Sequence, residues 1–239
     1  MIIVGHRGAR NEAPENTLAG FRHLRSLGIH YVELDVRLSK DEELVVVHDT
    51  SVNRTTKCKG NVRDLSAQEL NAMDASLHFP ASPDSHIPTL KQVLDAWPEL
   101  AYIQLEVKTD HKKTLRLITE KLSQLVLERS LLNVAVVTSS DQNVLALMHQ
   151  LAPQIHRGFV AERFTRNPID VCLNHHCSHL VVNHHRCSAA LITQAQSLGL
   201  IVSVWTVNQI NTARKLHNWG VDSIITDVPT QMLQAFHHR

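Results

Sequence analysis

Tyr31-Val32-Glu33-Leu34-Asp35-Val36 and Glu43-Leu44-Val45-Val46-Val47-His48 are two short apolar runs joined through Leu38-Ser39-Lys40-Asp41-Glu42. Both read as strands, rich in β-branched residues and bounded by polar turn formers. A parallel crossover takes about a dozen residues or more, so this short connection forces an antiparallel hairpin. Outward from it, apolar runs alternate with segments of helical period, the signature of a parallel sheet covered by helices. Further strands are expected over 2–5, 101–107, 133–138, 155–160, 179–182, 201–206 and 223–226. With the return strand 43–48 set aside, eight strands remain, nearly all separated by a helix. At 239 residues, against roughly 250 for a (β/α)8 TIM barrel, the pattern predicts an α/β closed barrel with an antiparallel hairpin strand after strand 2. An open doubly wound sheet is the alternative, but no G-x-G-x-x-G follows any strand, so the usual dinucleotide site is missing.

The helix expected over 17–27 carries Leu18, Phe21, Leu24 and Leu27 on one face, with Asn16 or Thr17 as N-cap and Gly28 as its stop. The helix over 111–129 repeats Leu115, Ile118, Leu122 and Leu125 in the same way. Others are expected near 89–96, 141–151, 167–175, 188–197, 209–219, bracketed by Asn208 and Gly220, and 229–237. Between Asp49 and Pro88 the periodicity fades into polar residues, Gly60, three prolines and a short helical pattern around Ala67 to Ala72. This is read as an insertion at about 50–88, long for a loop, within a single domain spanning 1–239.

The composition narrows the function. The formal charge is +1 with 20% charged residues, so no basic field is available for nucleic acid. The longest aliphatic run, Leu44 to Val47, is far short of the roughly 18 residues of a membrane span. The start, Met1-Ile2-Ile3-Val4-Gly5-His6-Arg7, lacks a charged n-region and a long apolar stretch. A cytoplasmic protein without stable membrane association is expected. Cys58, Cys172, Cys177 and Cys187 form no C-x-x-C pair and read as reduced thiols.

In a barrel of this kind chemistry gathers at the carboxyl ends of the strands. There the sequence places His6-Arg7-Gly8, Glu33-x-Asp35, His48-Asp49 and Glu106-x-Lys108. Residues i and i+2 of a strand share a face, so Glu33 and Asp35 point one way, as do Glu106 and Lys108. Crowded carboxylates raise one another's pKa unless a cation sits among them. Oxygen-only ligation suits Mg²⁺ or Ca²⁺, and the spacing does not choose between them. With Arg7 and Lys108 nearby the site suits a phosphate ester, and two histidines suggest general acid and base. Phosphodiester hydrolysis uses this set. The plainer reading of each residue alone is a salt bridge to Arg37 or Lys108, or a satisfied core histidine; the convergence of five at one rim outweighs it.

Gly5-His6-Arg7-Gly8 followed by Ala13-Pro14-Glu15-Asn16-Thr17, Glu33-Leu34-Asp35-Val36, Val47-His48-Asp49 with Arg54-Thr55-Thr56, Ile87-Pro88-Thr89-Leu90, Glu106-Val107-Lys108, Val204-Trp205-Thr206-Val207-Asn208 and Gly220-Val221-Asp222-Ser223-Ile224-Ile225-Thr226-Asp227-x-Pro229 stand in order along the chain. This series resembles the glycerophosphodiester phosphodiesterase family over essentially its whole length. The resemblance implies a metal-dependent TIM-barrel enzyme that hydrolyses small-molecule glycerophosphodiesters, such as glycerophosphocholine or glycerophosphoethanolamine, to sn-glycerol 3-phosphate and an alcohol. It also implies His6 and His48 as the acid–base pair, Glu33, Asp35 and Glu106 as ligands of the divalent ion, and Arg7 and Lys108 on the phosphate. Trp205 would line the pocket beside the glycerol. Asn16 would reach the site or serve as the N-cap, and Glu15 would order the loop after strand one.

Lys57-Cys58-Lys59-Gly60 departs from the small polar turn residues of relatives and reads as a solvated turn. His175, His176, His179, His184 and His185 between Cys172 and Cys187 tempt a zinc reading, but the cysteine spacings fit no common structural zinc pattern. They and the terminal His237-His238-Arg239 read as solvated surface. Two competing functions are a lysophospholipase D-type phosphodiesterase, which needs an apolar channel, and a non-catalytic phosphodiester-binding barrel, which has no chemical need for both histidines and all three carboxylates.

Overall fold

The structure, a computed structural model, describes residues 1–162 and 164–237. Its strands are β1 (Ile2–His6), β2 (Tyr31–Leu38), β3 (Leu44–Val46), β4 (Tyr102–Val107), β5 (Ala135–Ser139), β6 (His156–Ala161), β7 (His179–Asn183), β8 (Ile201–Trp205) and β9 (Ser223–Thr226). Its helices are α1 (Leu18–Ser26), α2 (Ala67–Asn71), α3 (Leu90–Ala96), α4 (Lys112–Glu128), α5 (Gln142–Leu151), α6 (Pro168–Asn174), α7 (Ala189–Ser197), α8 (Ile210–Asn218) and α9 (Pro229–His237). All strands but β3 pair in parallel, and β1 pairs with both β9 and β2, which closes the ring. β3 pairs antiparallel with β2 outside the ring, as the short connection requires. The expected TIM barrel and its extra hairpin strand are both present. β3 is shorter than expected: its regular pairing covers Leu44–Val46, and the Val47 amide still donates to the Asp35 carbonyl of β2 at 3.1 Å before the chain enters the insertion.

Alternation along each strand sorts the residues into two layers. Val32, Leu34, Val36, Ile103, Leu105 and Val107 face outward into the main core with the helices. Inward, Val4, Val160, Val181 and Ile225 fill the barrel, with Tyr31, Tyr102 and Trp205 packed against them. At Gly158 of β6 the neighbouring strands leave no room for a side chain: a Cβ would sit 2.8 Å from His179 Cβ and 3.0 Å from Thr138 Cγ2.

Local sequence sets the helix ends. Of the two residues expected to cap α1, Thr17 does so, accepting from Gly20 N at 3.1 Å; Asn16 adopts φ 56° and turns its side chain elsewhere. Gln209 precedes α8 as its N-cap, because Asn208 is occupied by Asp227. On α4 the apolar stripe ends on Val126, while Leu125 is only partly buried.

The insertion is more ordered than its sequence suggests. Val52, Val62, Ala67, Leu70, Ala75 and Ile87 form a small core of their own with Val45 of β3 and Val47 just after it. Arg54 ties this unit to the loop after β1, donating to both oxygens of Glu15 at 2.7 and 2.8 Å. Arg7 donates to the same carboxylate at 3.0 Å and Arg10 at 3.2 Å. Burial raises the Glu15 carboxyl, but Arg54 and Arg7 outweigh it and bring it down to about 2.

Two stability predictions follow from this packing. Gly158→Ala is expected to cost about 1–3 kcal/mol, read as a lower thermal unfolding midpoint; an unchanged midpoint would mean that β6 shifts to admit the methyl. Glu15 has a depressed pKa in the fold, so its contribution is present above the unfolded carboxyl value and is lost as pH falls from there through about 2. The stability gap between wild type and Glu15→Gln, up to roughly 3 kcal/mol at pH 7, should therefore narrow between pH 5 and pH 2 in denaturant titrations. A gap independent of pH would contradict the ion-pair account.

Candidate active site

The loop after β1 is shaped by close approach. A Cβ on Gly5 would lie 2.1 Å from the Gly8 carbonyl oxygen and 2.4 Å from Leu24 Cδ2, and Arg7 and Gly8 both take positive φ, 52° and 90°. Glycine meets the close approach at residue 5 and the positive φ at residue 8 at little steric cost, Arg7 takes its positive φ as a non-glycine residue, and the turn aims His6 and Arg7 into the barrel mouth. The register then brings β2 and β4 level: His6 pairs with Glu33, and Asp35 pairs with Glu106.

Glu33, Asp35 and Glu106 offer oxygens that all lie within 4.8 Å of one another, the one group of three or more potential metal ligands among the described residues. Glu33 is 1% exposed and Asp35 not at all. Asp35 is wrapped by Lys108 Nζ at 2.9 Å, Arg7 Nε at 3.2 Å and the Asn16 carboxamide, which donates at 2.8 Å. Burial alone would raise Asp35, but the charges of Lys108 and Arg7 overturn it and hold the carboxyl well below the usual range. Glu33 moves the other way: burial, then repulsion from Asp35 and Glu106, pushes it well above an ordinary carboxyl. Its Oε1 has no hydrogen-bond partner in the protein, although Oε2 accepts from the Arg7 amide at 3.1 Å. An all-oxygen cluster with an unpartnered buried oxygen and a carboxyl that resists ionising fits a hard divalent cation. Lys108 also donates to Glu106 at 2.6 Å. Arg37, the other cation weighed as a partner for the carboxylates, donates instead to the His48 carbonyl at 2.8 Å.

Each histidine rests on a carboxylate. His6 Nδ1 lies 2.5 Å from Asp227 Oδ1, and its Nε2 lies 3.9 Å from Glu33. Asp227 is held in turn by Asn208, whose Nδ2 donates to Oδ2 at 2.7 Å and whose Oδ1 accepts from the Asp227 amide at 2.9 Å. Burial raises Asp227, but the His6 hydrogen bond and charge outweigh it and keep the carboxyl below its ordinary value. His48 Nδ1 lies 2.7 Å from Asp49 Oδ1, and Arg54 Nε donates to Asp49 Oδ2 at 2.6 Å. Burial lowers His48 below an ordinary imidazole, only partly opposed by Asp35.

The groups His6, Arg7, Glu33, His48, Glu106, Lys108 and Trp205 line one cavity of about 120 Å³, with Gln104, Val160, Glu162, Val181 and Ile225. Asp35 lies beneath it, and Asn16 reaches it through Asp35. A larger cleft of about 1010 Å³ at the opposite end of the barrel, between β1, α8 and α9, carries no carboxylate among its lining residues. Sequence reading missed Asp227 and Asn208 as parts of the site. Asp227 directly follows β9, and the strand-end rule applied there would have found it.

The histidine-rich stretch differs from expectation at one point. His179 is 5% exposed, on β7, and burial drives its imidazole down to about 4. His149 stacks on His176 at 4.3 Å, and the mutually tilted rings of His184 and His185 lie 3.9 Å apart, between ring centroids. Among the described residues these histidines and the cysteines form no group of three potential ligands. His238, Arg239 and the side chain of His237 lie outside the described residues.

The sequence and the fold have close relatives. The Bacillus subtilis protein YhdW is 33% identical, the alignment covering 100% of this chain and 99% of that one. The glycerophosphodiester phosphodiesterase of Caldanaerobacter subterraneus is 29% identical over 97% of this chain and 96% of its own. An Oleispira antarctica phosphodiesterase, solved in complex with its product sn-glycerol-3-phosphate, shares the fold with a TM-score of 0.88 at 24% identity, covering 99% of this chain and 97% of that one. The sequence model of the glycerophosphoryl diester phosphodiesterase family matches residues 6–231, which take in both histidines, all three carboxylates and Asp227. With that match running from His6 at the end of β1 into the last helix, the chain belongs to the glycerophosphoryl diester phosphodiesterase family of enzymes.

Proposed function

We propose that the protein hydrolyses small-molecule glycerophosphodiesters, such as glycerophosphocholine and glycerophosphoethanolamine, to sn-glycerol 3-phosphate and a free alcohol. The observation that carries this reading is the convergence of Glu33, Asp35 and Glu106 within 4.8 Å, beside Arg7 and Lys108, in a cavity shared with two histidines. Glu33, Asp35 and Glu106 would hold the Mg²⁺ or Ca²⁺ ion. When bound, that ion supplies positive charge to the phosphoryl oxygens and so stabilises the transition state.

The chain's own residues do the rest. Arg7 presents a planar guanidinium held on Glu15 and Asp35, and Lys108 adds a second cation; together they bind the phosphate. His6 and His48 are the acid–base pair. With Nδ1 on a carboxylate, each presents Nε2 for proton transfer. One takes the proton from the attacking oxygen as it bonds to phosphorus, that oxygen being water's or the glycerol 2-hydroxyl's with water then opening the cyclic phosphate, and the other protonates the leaving alkoxide as its bond to phosphorus breaks. The lowered pKa of His48 supports its presence as a neutral imidazole that accepts a proton. Asn16 acts through Asp35, whose orientation it fixes, and Trp205 flanks the glycerol.

Four free thiols and the balanced charge support action in the cytoplasm, on small molecules rather than on nucleic acid or an embedded lipid. No helix among the described residues is long and apolar enough to cross a membrane. We read the insertion and barrel as one catalytic unit, because Arg54 joins the insertion to both Glu15 and Asp49.

His6→Ala and His48→Ala are each expected to lower kcat by about 10²- to 10⁴-fold on glycerophosphocholine, with folding checked by circular dichroism. A folded variant with near-wild-type turnover would sink the assignment for that histidine. Chelation of divalent ions should abolish release of sn-glycerol 3-phosphate, and Mg²⁺ or Ca²⁺ should restore it. Full activity after exhaustive chelation would remove the metal from the reaction, and turnover confined to lysophospholipids would replace the substrate class.

A further inference from the structure

Two polar residues of the catalytic cavity, Gln104 and Glu162, have no part in this scheme. Glu162 is exposed, but Gln104 is 1% exposed and lies on the inward face of β4 between Tyr102 and Glu106. Its register neighbours are Glu33 on one side and Val136 on the other. Gln104 Oε1 has no hydrogen-bond partner in the protein, and neither has Trp205 Nε1 in the same cavity. Leaving a buried amide unpaired costs about 1–3 kcal/mol, and buried polar groups are paired in the great majority of cases. A methionine or leucine would fill the same place in the barrel without that penalty. The nearby cavity wall is apolar, formed by Val160, Val181 and Ile225. An amide donor and acceptor beside apolar walls suits a small hydroxylated carbon skeleton, because a hydroxyl can both accept from and donate to a carboxamide.

We propose that Gln104 is a specificity-determining residue whose carboxamide hydrogen-bonds a free hydroxyl of the substrate's glycerol moiety. This rests on the glycerophosphodiesterase reading above. Trp205 Nε1 supplies a further donor, and Val160, Val181 and Ile225 pack against the carbon chain. A site that pairs a buried group with a substrate hydroxyl rejects analogues lacking it, since the group is then left unpaired. Gln104 thereby distinguishes glycerol esters from esters of simpler alcohols that carry the same phosphate.

The test is calorimetric binding of three ligands to wild type and Gln104→Met, at a fixed concentration of Mg²⁺ or Ca²⁺. The ligands are sn-glycerol 3-phosphate, propane-1,2-diol 1-phosphate and propane-1,3-diol monophosphate, so that each glycerol hydroxyl is deleted in turn. Gln104→Met should weaken sn-glycerol 3-phosphate by roughly 5- to 100-fold. One of the two deoxy ligands should bind wild type more weakly by a similar factor, and for that ligand the variant should match wild type within about twofold. Equal weakening of all three ligands by Gln104→Met would overturn the proposal and make Gln104 a support for the carboxylates. Equal binding of all three to wild type would overturn it without any variant, which keeps the test decisive if Gln104→Met does not fold; Gln104→Asn serves as a second, shorter amide. Failure of wild type to bind sn-glycerol 3-phosphate at all would instead overturn the glycerophosphodiesterase reading.

Discussion

A carboxylate with no solvent exposure governs this molecule. Asp35 is fully buried at the barrel mouth, and its ionised form survives there only because Arg7, Lys108 and Asn16 surround it. Those three partners come from the loop after β1 and the end of β4. Satisfying one charge therefore fixes the position of two segments of the barrel mouth. Glu33, one inward position earlier on the same strand, has no comparable escort and is pushed toward its neutral form. The contrast between the two carboxyls, set by their partners rather than their burial, makes the cluster receptive to a cation.

A second layer of carboxylates stands behind the histidines. Asp227 closes the ring chemically as well as topologically, since it joins β9 to His6 of β1 while β1 and β9 pair through their backbones. Asp49 plays the same part for His48, and Arg54 links it to Glu15 and so to Arg7. The two imidazoles are thus held independently, one through the barrel and one through the insertion. Preorganisation of this kind lets the groups meet a developing charge with little rearrangement.

Much of this was legible in the sequence because it rests on period and chain length. The hairpin followed from a connection too short for a crossover, and the barrel from eight remaining strands. Glu33-x-Asp35 and Glu106-x-Lys108 declared a shared face by their spacing alone. What stayed hidden depends on long-range pairing. Asn16 and Thr17 are adjacent and both suit an N-cap, so only the place of Asp35 decides which one caps. Asn208 looks like a cap until Asp227 claims its side chain. The core of the insertion escaped notice because its apolar residues come singly, at no fixed period, and find one another only after folding against β3.

β3 lies outside the closed ring, yet no part of it is left open. Leu44 and Val46 enter the main core while Val45 and Val47 enter that of the insertion, so the segment is buried on both faces. Its outer backbone is covered as well: the Val46 amide donates to the Pro88 carbonyl at 2.9 Å, and Val45 bridges to Thr89. An uncovered edge strand is a template for pairing with other chains, and closed barrels escape the hazard by having no edge. This barrel creates an edge by adding β3 and then seals it with the last residues of the insertion. The insertion is for that reason a guard against aggregation, and shortening it would reopen an adhesive strand at the rim of the active site.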